Sequence, residues 1–195
     1  MAATTNVVLV HGAFADASSW RRVIPLLQQN GCHVVAVQNP LTSLMDDVAA
    51  TRRVIDAIPG PVTLVGHSYG GAVIGVAGNA PNVRSLVYIA AFAPDEGESL
   101  GELGMRYPSL ASVKDYRPDT AGFLSVAPEA FPQDFAADVD REQAQVMAVT
   151  QRPVAAAVFG TKAPAPAWRK LPTFYQVSEN DGMIPRTWSG FSPNA

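Results

Sequence analysis

The chain has 195 residues, enough for one domain to bury an apolar core without disulfides or metals. It is 48% hydrophobic and 16% charged, with a formal net charge of −3 and no block of like charges, which argues against binding to nucleic acid or an anionic membrane. Cys32 is the only cysteine, which excludes an intrachain disulfide and leaves too few thiolates for a Cys/His zinc cluster.

We expect no targeting signal at the amino terminus. Residues 1–6 contain no basic stretch, and the apolar run at 7–10 is too short for a signal peptide or a membrane span. We therefore expect a cytoplasmic protein that uses no metal and whose partner is a small molecule. Nothing in the sequence indicates an oligomeric state.

Short apolar runs rich in Val, Leu or Ile predict buried parallel strands. These runs lie at residues 6–10, 33–37, 62–65, 85–89 and 173–177. Helical patterns separate the first four runs. Strands that alternate with helices predict an α/β fold, in which a mostly parallel sheet is covered by helices on both faces.

Three helices are predicted between these strands. The first spans residues 20–29, where the apolar side chains fall on one face. The second begins after Ser43, whose hydroxyl can accept a hydrogen bond from the Asp46 backbone, and ends before Pro59. The third spans residues 69–79 and follows the central strand directly.

The alternation of strands and helices lapses at residues 94–171, a proline-rich stretch that we call the insert. A helix is predicted within it at 131–149, most regular at 140–149, and its aromatic side chains form either a small separate core or a lid over the substrate. We expect a single domain with its core at residues 1–93 and 172–186. Residues 187–195 read as a tail without helical periodicity.

Residues 66–70, Gly-His-Ser-Tyr-Gly, lie between a predicted strand and a predicted helix. A serine on such a tight turn has its hydroxyl raised above the sheet, and the flanking glycines let neighbouring backbone approach closely. The helix that follows favours negative charge on a substrate oxygen. This pattern predicts that Ser68 is a nucleophile.

The loop after the first strand predicts the second part of an acyl-transfer site. Such a site needs two backbone N–H donors aimed at the oxyanion, one from the residue after the nucleophile and one from this loop. Tyr69 and Ala13 are the expected donors. Phe14 is then a wall of the pocket, and the His11 side chain is expected to lie near the substrate.

Together these residues resemble the α/β-hydrolase superfamily, and closely its small esterase group, which includes plant methyl-ester esterases and hydroxynitrile lyases. The resemblance rests on residues 9–13, 66–71, 88–92 and 178–185. It implies hydrolysis of a carboxylic ester through an acyl-enzyme at Ser68, without a cofactor. The lyases carry threonine and cysteine where this chain has Gly12 and Tyr69, which favours a hydrolase.

A serine nucleophile requires a histidine base and a carboxylate that orients it. The resemblance assigns the carboxylate to Asp181, just past the last predicted strand, with Asp95 as the alternative. In this architecture the histidine follows the acid, but the histidines of the chain are His11, His33 and His67.

Residues 182–195 are too few for the helix, final strand and histidine loop that this family places there. We therefore expect a truncated chain that lacks the last strand and helix and has impaired activity. Two alternatives remain: an inactive ligand-binding module on the same fold, or a proton acceptor supplied by His11 or by a partner chain.

Overall fold

The computed structural model describes residues 5–106, 114–179 and 181 of the chain. Its strands are β1 (Asn6–Val10), β2 (His33–Val37), β3 (Val62–Ser68), β4 (Val83–Ala91), β5 (Tyr116–Pro118), β6 (Phe123–Val126), β7 (Val154–Ala155) and β8 (Thr173–Gln176). Its α-helices are α1 (Ile24–Gln29), α2 (Leu44–Asp56), α3 (Gly70–Ala77), α4 (Leu100–Met105), α5 (Phe131–Asp134), α6 (Arg141–Thr150) and α7 (Ala157–Gly160). Short 3-10 turns lie at Ala17–Trp20 and Ala167–Arg169.

The main sheet has the strand order β2-β1-β3-β4-β8, and all of its neighbouring strands are parallel. The carboxyl ends of these strands therefore meet at one edge. In the register, Val10 pairs with Gly66, and Ser68 pairs with Ala91. This confirms the predicted α/β fold and brings the loops after β1, β3 and β4 together.

Side chains of β1 alternate between two apolar cores, as the period of a strand requires. Val8 and Val10 belong to the larger core, which α2 and α3 cover. Val7 and Leu9 belong to the smaller one, which is closed by Trp20 and the side chains of α1. The sheet is thus buried on both faces around its centre.

Ser43 caps α2 as predicted, because its Oγ accepts a hydrogen bond of 3.0 Å from the Asp46 N–H. The first predicted helix is wrong in its first half. A 3-10 turn ends at Trp20, and α1 begins at Ile24. The physical reason is Pro25, which has no N–H to donate and whose ring is tolerated only in the first turn of a helix.

The insert differs from the single helix that its pattern predicts. Two helices, α5 and α6, replace it, and Asp140 begins the second by accepting from the N–H groups of Glu142 and Gln143. The insert also contains an antiparallel sheet of order β5-β6-β7, which was not predicted. Its strands have two to four residues, too few to show a period of two.

The insert packs on the main sheet instead of forming a separate core. Val126, Phe131 and Val154 belong to the same apolar cluster as Val8 and Leu64. The proposed domain boundaries stay a prediction, and the tail at 187–195 lies outside the described residues. In the part of the chain that is described, no helix has the length and apolar character to cross a bilayer.

Gly70→Ala should lower the free energy of unfolding by about 1–3 kcal/mol, the usual cost of overpacking. A Cβ at Gly70 would lie 2.4 Å from the Val10 carbonyl oxygen and 2.8 Å from that of His11, and backbone atoms cannot move aside as a side chain can. Urea denaturation measures the change.

The matched control is Gly160→Ala, because no atom lies within 4 Å of the Cβ it would add. This helical position should tolerate alanine within about 0.5 kcal/mol of the parent chain. Equal stabilities for the two variants would contradict the close approach of α3 to β1.

Candidate active site

Ser68 is the last residue of β3 and adopts a left-handed backbone conformation, with φ 54°. Such a conformation is uncommon outside glycine and costs on the order of 1–3 kcal/mol. Gly70, two residues later, begins α3. The turn therefore has the strained strand-to-helix geometry that raises a nucleophilic hydroxyl above a sheet.

The loop after β1 lies directly against this serine. A Cβ built on Gly12 would be 2.7 Å from the Ser68 Cβ and 3.2 Å from its Oγ, so a larger residue could not occupy position 12 without displacing one of them. Ala13 is the next residue along this loop. Ala13 and Tyr69, the predicted oxyanion donors, are both buried.

The His11 side chain is fully buried and has both ring nitrogens engaged. Its Nε2 accepts from the Asn39 N–H at 3.0 Å, so the proton is on Nδ1, which donates to the Gly12 carbonyl oxygen at 2.8 Å. Burial lowers the pKa of His11 below its usual value. His11 therefore holds this loop in place and has no free nitrogen to accept the Ser68 proton. Its place near the substrate stays a prediction.

His67 is half-buried and packs edge-on against Trp20, with ring centroids 6.3 Å apart. Burial lowers the pKa of His67, and the Asp181 carboxylate opposes that shift. Burial raises the pKa of Tyr175, and the Asp181 carboxylate raises it further. Asp181 therefore acts electrostatically on groups from both β3 and β8.

Asp95, the alternative acid, is engaged in a surface ion pair. Its carboxylate forms an ion pair of 2.6 Å with Arg169, and this hydrogen bond lowers the pKa of Asp95. Glu96 joins the same guanidinium at 3.3 Å. This surface pairing favours Asp181 over Asp95 as the carboxylate of the site.

A tyrosine that no sequence motif singled out fixes the other side of the serine turn. The Tyr175 hydroxyl accepts from the Ala91 N–H at 3.0 Å and donates to the Ala91 carbonyl oxygen at 2.5 Å. Ala91 pairs with Ser68, and the next residue, Phe92, donates its N–H to the Ser68 carbonyl oxygen at 3.0 Å. The Tyr175 ring stacks on Tyr88, with centroids 6.0 Å apart.

A cavity of about 100 Å³ lies between the loop after β1 and the insert. Phe14 is part of its wall and contacts the rings of Tyr116 and Phe135, at centroid distances of 5.1 and 6.3 Å. Most of the remaining apolar lining comes from the insert, chiefly Phe131 and Met147. Among the described residues, no cluster of three or more His, Cys, Asp or Glu side chains could hold a metal ion.

A protein-family model described as "Alpha/beta hydrolase family" matches residues 7–192 of the chain. The chain belongs to this family. This confirms the family that the sequence motifs predicted.

The chain is 38% identical over 109 residues to the carbendazim hydrolyzing esterase of Nocardioides sp. (strain SG-4G), a match that covers 49% of this chain and 45% of that protein. It is 29% identical over 126 residues to Methylesterase 8 of Arabidopsis thaliana, covering 57% and 46% of the two chains. The matched segments thus span about half the length of these relatives.

Among solved structures, polyneuridine aldehyde esterase superimposes with a TM-score of 0.80 at 20% identity, covering 95% of this chain and 84% of that one. At this identity the likeness shows the fold alone.

The buried, neutral His11 should make the fold sensitive to mild acid. Because its pKa is lowered in the folded state, the unfolded chain binds more protons, and the free energy of unfolding should fall as the pH drops below about 6.5. His67 contributes with the same sign. Denaturation with urea at several pH values between about 7.5 and 5.5 measures the slope.

His11→Gln keeps an acceptor for the Asn39 N–H and removes the titrating group. The variant should be less stable at neutral pH but should show a shallower loss of stability toward acid. An unchanged slope would mean that His11 does not exclude a proton in the folded state.

Proposed function

We propose that the chain hydrolyses carboxylic esters with a small apolar group, through an acyl-enzyme on Ser68. The observation that carries this proposal is the left-handed Ser68 at the end of β3, with the Gly12 backbone against its side chain. A strained turn that presents a hydroxyl to an adjacent loop of backbone donors is the arrangement that acyl transfer requires.

In the proposed reaction, the Ser68 oxygen attacks the ester carbonyl and its proton passes to a base. Negative charge develops on the carbonyl oxygen, where the N–H groups of Ala13 and Tyr69 stabilise it together with the start of α3. The alcohol leaves with a proton, and water then cleaves the acyl-enzyme. Asp181 is the proposed carboxylate of the triad.

The proposed reaction is limited by the lack of a suitable base. His11 is unsuited because both of its nitrogens are engaged. The chain's other histidines are His33, which hydrogen-bonds Asn6 at 3.1 Å, and His67, which packs against Trp20. We therefore propose slow acylation, in which the oxyanion donors retain on the order of 10³-fold acceleration over water.

The preference for an apolar substrate group rests on the cavity beside Phe14. The insert contributes the apolar side chains of Phe131, Phe135, Val146 and Met147 to its lining. Polar side chains come from the loop after β1 and also from the insert, namely Asp16, Ser18, Ser19, Arg21, Gln143, Thr150 and Gln151. An apolar acyl or alkoxy group fits this lining better than a charged one.

A fluorophosphonate probe should label Ser68 slowly, and p-nitrophenyl acetate should be hydrolysed weakly. Ser68→Ala should abolish both, because the attacking oxygen is gone. Intact-protein mass spectrometry measures the labelling rate. Ser125→Ala, which removes an insert hydroxyl bonded to the Arg117 carbonyl, is the matched control and should label like the parent chain.

Labelling that persists in Ser68→Ala would overturn the assignment of Ser68 as the nucleophile. Rapid labelling of the parent chain would contradict the predicted lack of a base. Saturable binding of an apolar ester without turnover, equal in the parent chain and Ser68→Ala, would favour the ligand-binding alternative, which the engaged nitrogens of His11 also support.

A further inference from the structure

Asp47 is a fully buried carboxylate that the proposed reaction does not use. It lies in the first turn of α2, next to the exposed Asp46. Its Oδ2 accepts a hydrogen bond of 2.5 Å from the Tyr69 hydroxyl, and its Oδ1 accepts one of 2.8 Å from the Leu41 N–H. Burying a carboxylate is unfavourable unless such donors compensate, so both contacts require an explanation.

The proton of this pair belongs to Tyr69. Burial raises the pKa of the Tyr69 hydroxyl, and the neighbouring Asp47 charge raises it further. Burial also raises the pKa of Asp47, while the bonds from Tyr69 and Leu41 oppose that shift. Tyr69 therefore donates and Asp47 accepts, which gives a short, charge-assisted hydrogen bond in a buried site.

Tyr69 follows the strained Ser68, and the peptide between them carries the N–H proposed as an oxyanion donor. The Tyr69 backbone has right-handed helical angles, φ −53° and ψ −32°. Its ring is almost fully buried, and Asp47 holds the far end of that ring. A residue fixed at both its backbone and its hydroxyl has little freedom to rotate its N–H.

The other oxygen of Asp47 ties this residue to the insert. Leu41, which donates to it, has a left-handed backbone with φ 61°. The Leu41 carbonyl oxygen accepts from the Ala155 N–H of β7 at 2.9 Å. Asp47 therefore connects the serine turn, the loop after β2 and the insert through three consecutive hydrogen bonds.

We propose that Asp47 is a positioning residue, which holds the Tyr69 ring and thereby keeps the Tyr69 N–H aimed at the oxyanion. This inference rests on the proposed ester hydrolysis. Asp47 does not touch the substrate and acts through Tyr69. Removal of the Tyr69 hydroxyl and removal of the Asp47 charge should therefore have the same kinetic signature.

Tyr69→Phe and Asp47→Asn should each lower kcat for p-nitrophenyl acetate about tenfold or more and leave KM nearly unchanged, because an oxyanion donor acts on the transition state. The affinity for phenylboronic acid, which forms a tetrahedral adduct on the serine, should fall by a similar factor. Asp46→Asn removes a carboxylate from the same helical turn without contact to Tyr69, and it should leave all three quantities unchanged.

The double variant separates positioning from general loss of structure. If Asp47 acts through the Tyr69 hydroxyl, Asp47→Asn should cost little further kcat in the Tyr69→Phe background. Effects that multiply fully, or a rise in KM with kcat unchanged, would overturn the inference. If Asp47→Asn does not fold, Tyr69→Phe alone carries the kinetic test.

A readout without turnover distinguishes this inference from the proposed function. If the parent chain shows no Ser68-dependent hydrolysis, the proposed function fails. Asp47 is then judged by the Tyr69 amide resonance in ¹⁵N spectra. A displaced resonance in Asp47→Asn, but not in Asp46→Asn, supports positioning, and an unmoved resonance in Asp47→Asn overturns it.

Discussion

The left-handed backbone of Ser68 is the constraint on which the rest of the site depends. A single residue in this conformation is unfavourable by itself and persists only where its surroundings determine it. Here β3 is paired on one side with β1 and on the other with β4. The Gly12 loop lies against the serine side chain, and the Phe92 N–H holds its carbonyl oxygen. Contacts in the middle of the sheet thus hold Ser68 in its strained conformation.

Two tyrosine hydroxyls support this turn from residues outside β3. Tyr69 is anchored on Asp47 at the start of α2, and Tyr175 on β8 is anchored on the Ala91 backbone of β4. Each ring is largely surrounded by apolar side chains, and each hydroxyl has a defined partner, as buried polar groups require. The neutral His11 likewise supports the loop after β1, because both of its ring nitrogens have defined partners. Polar contacts that perform no chemistry therefore set the geometry of the site.

The sequence was most informative where signals were local. β1 and β2 have the ends that their apolar runs predicted, and Ser43 caps α2 as its spacing indicated. The start of α1 failed because Pro25 outweighed the apolar pattern. The tyrosine anchors could not be predicted, because their partners are 22 and 84 residues away. Short strands in the insert gave no periodic signal at all. The roles of Ser68 and Asp181 stay predictions.

The pairing of β8 with β4 also has a consequence for the order of folding. Leu86 pairs with Thr173, so the whole insert must be accommodated before this part of the sheet can close. Contacts between residues so far apart form slowly, because the chain loses entropy before the contacts stabilise it. β1 to β4 and the serine turn are complete within residues 6–91. We expect the nucleophile turn to assemble early, and Asp181 to reach it only when the last strand docks.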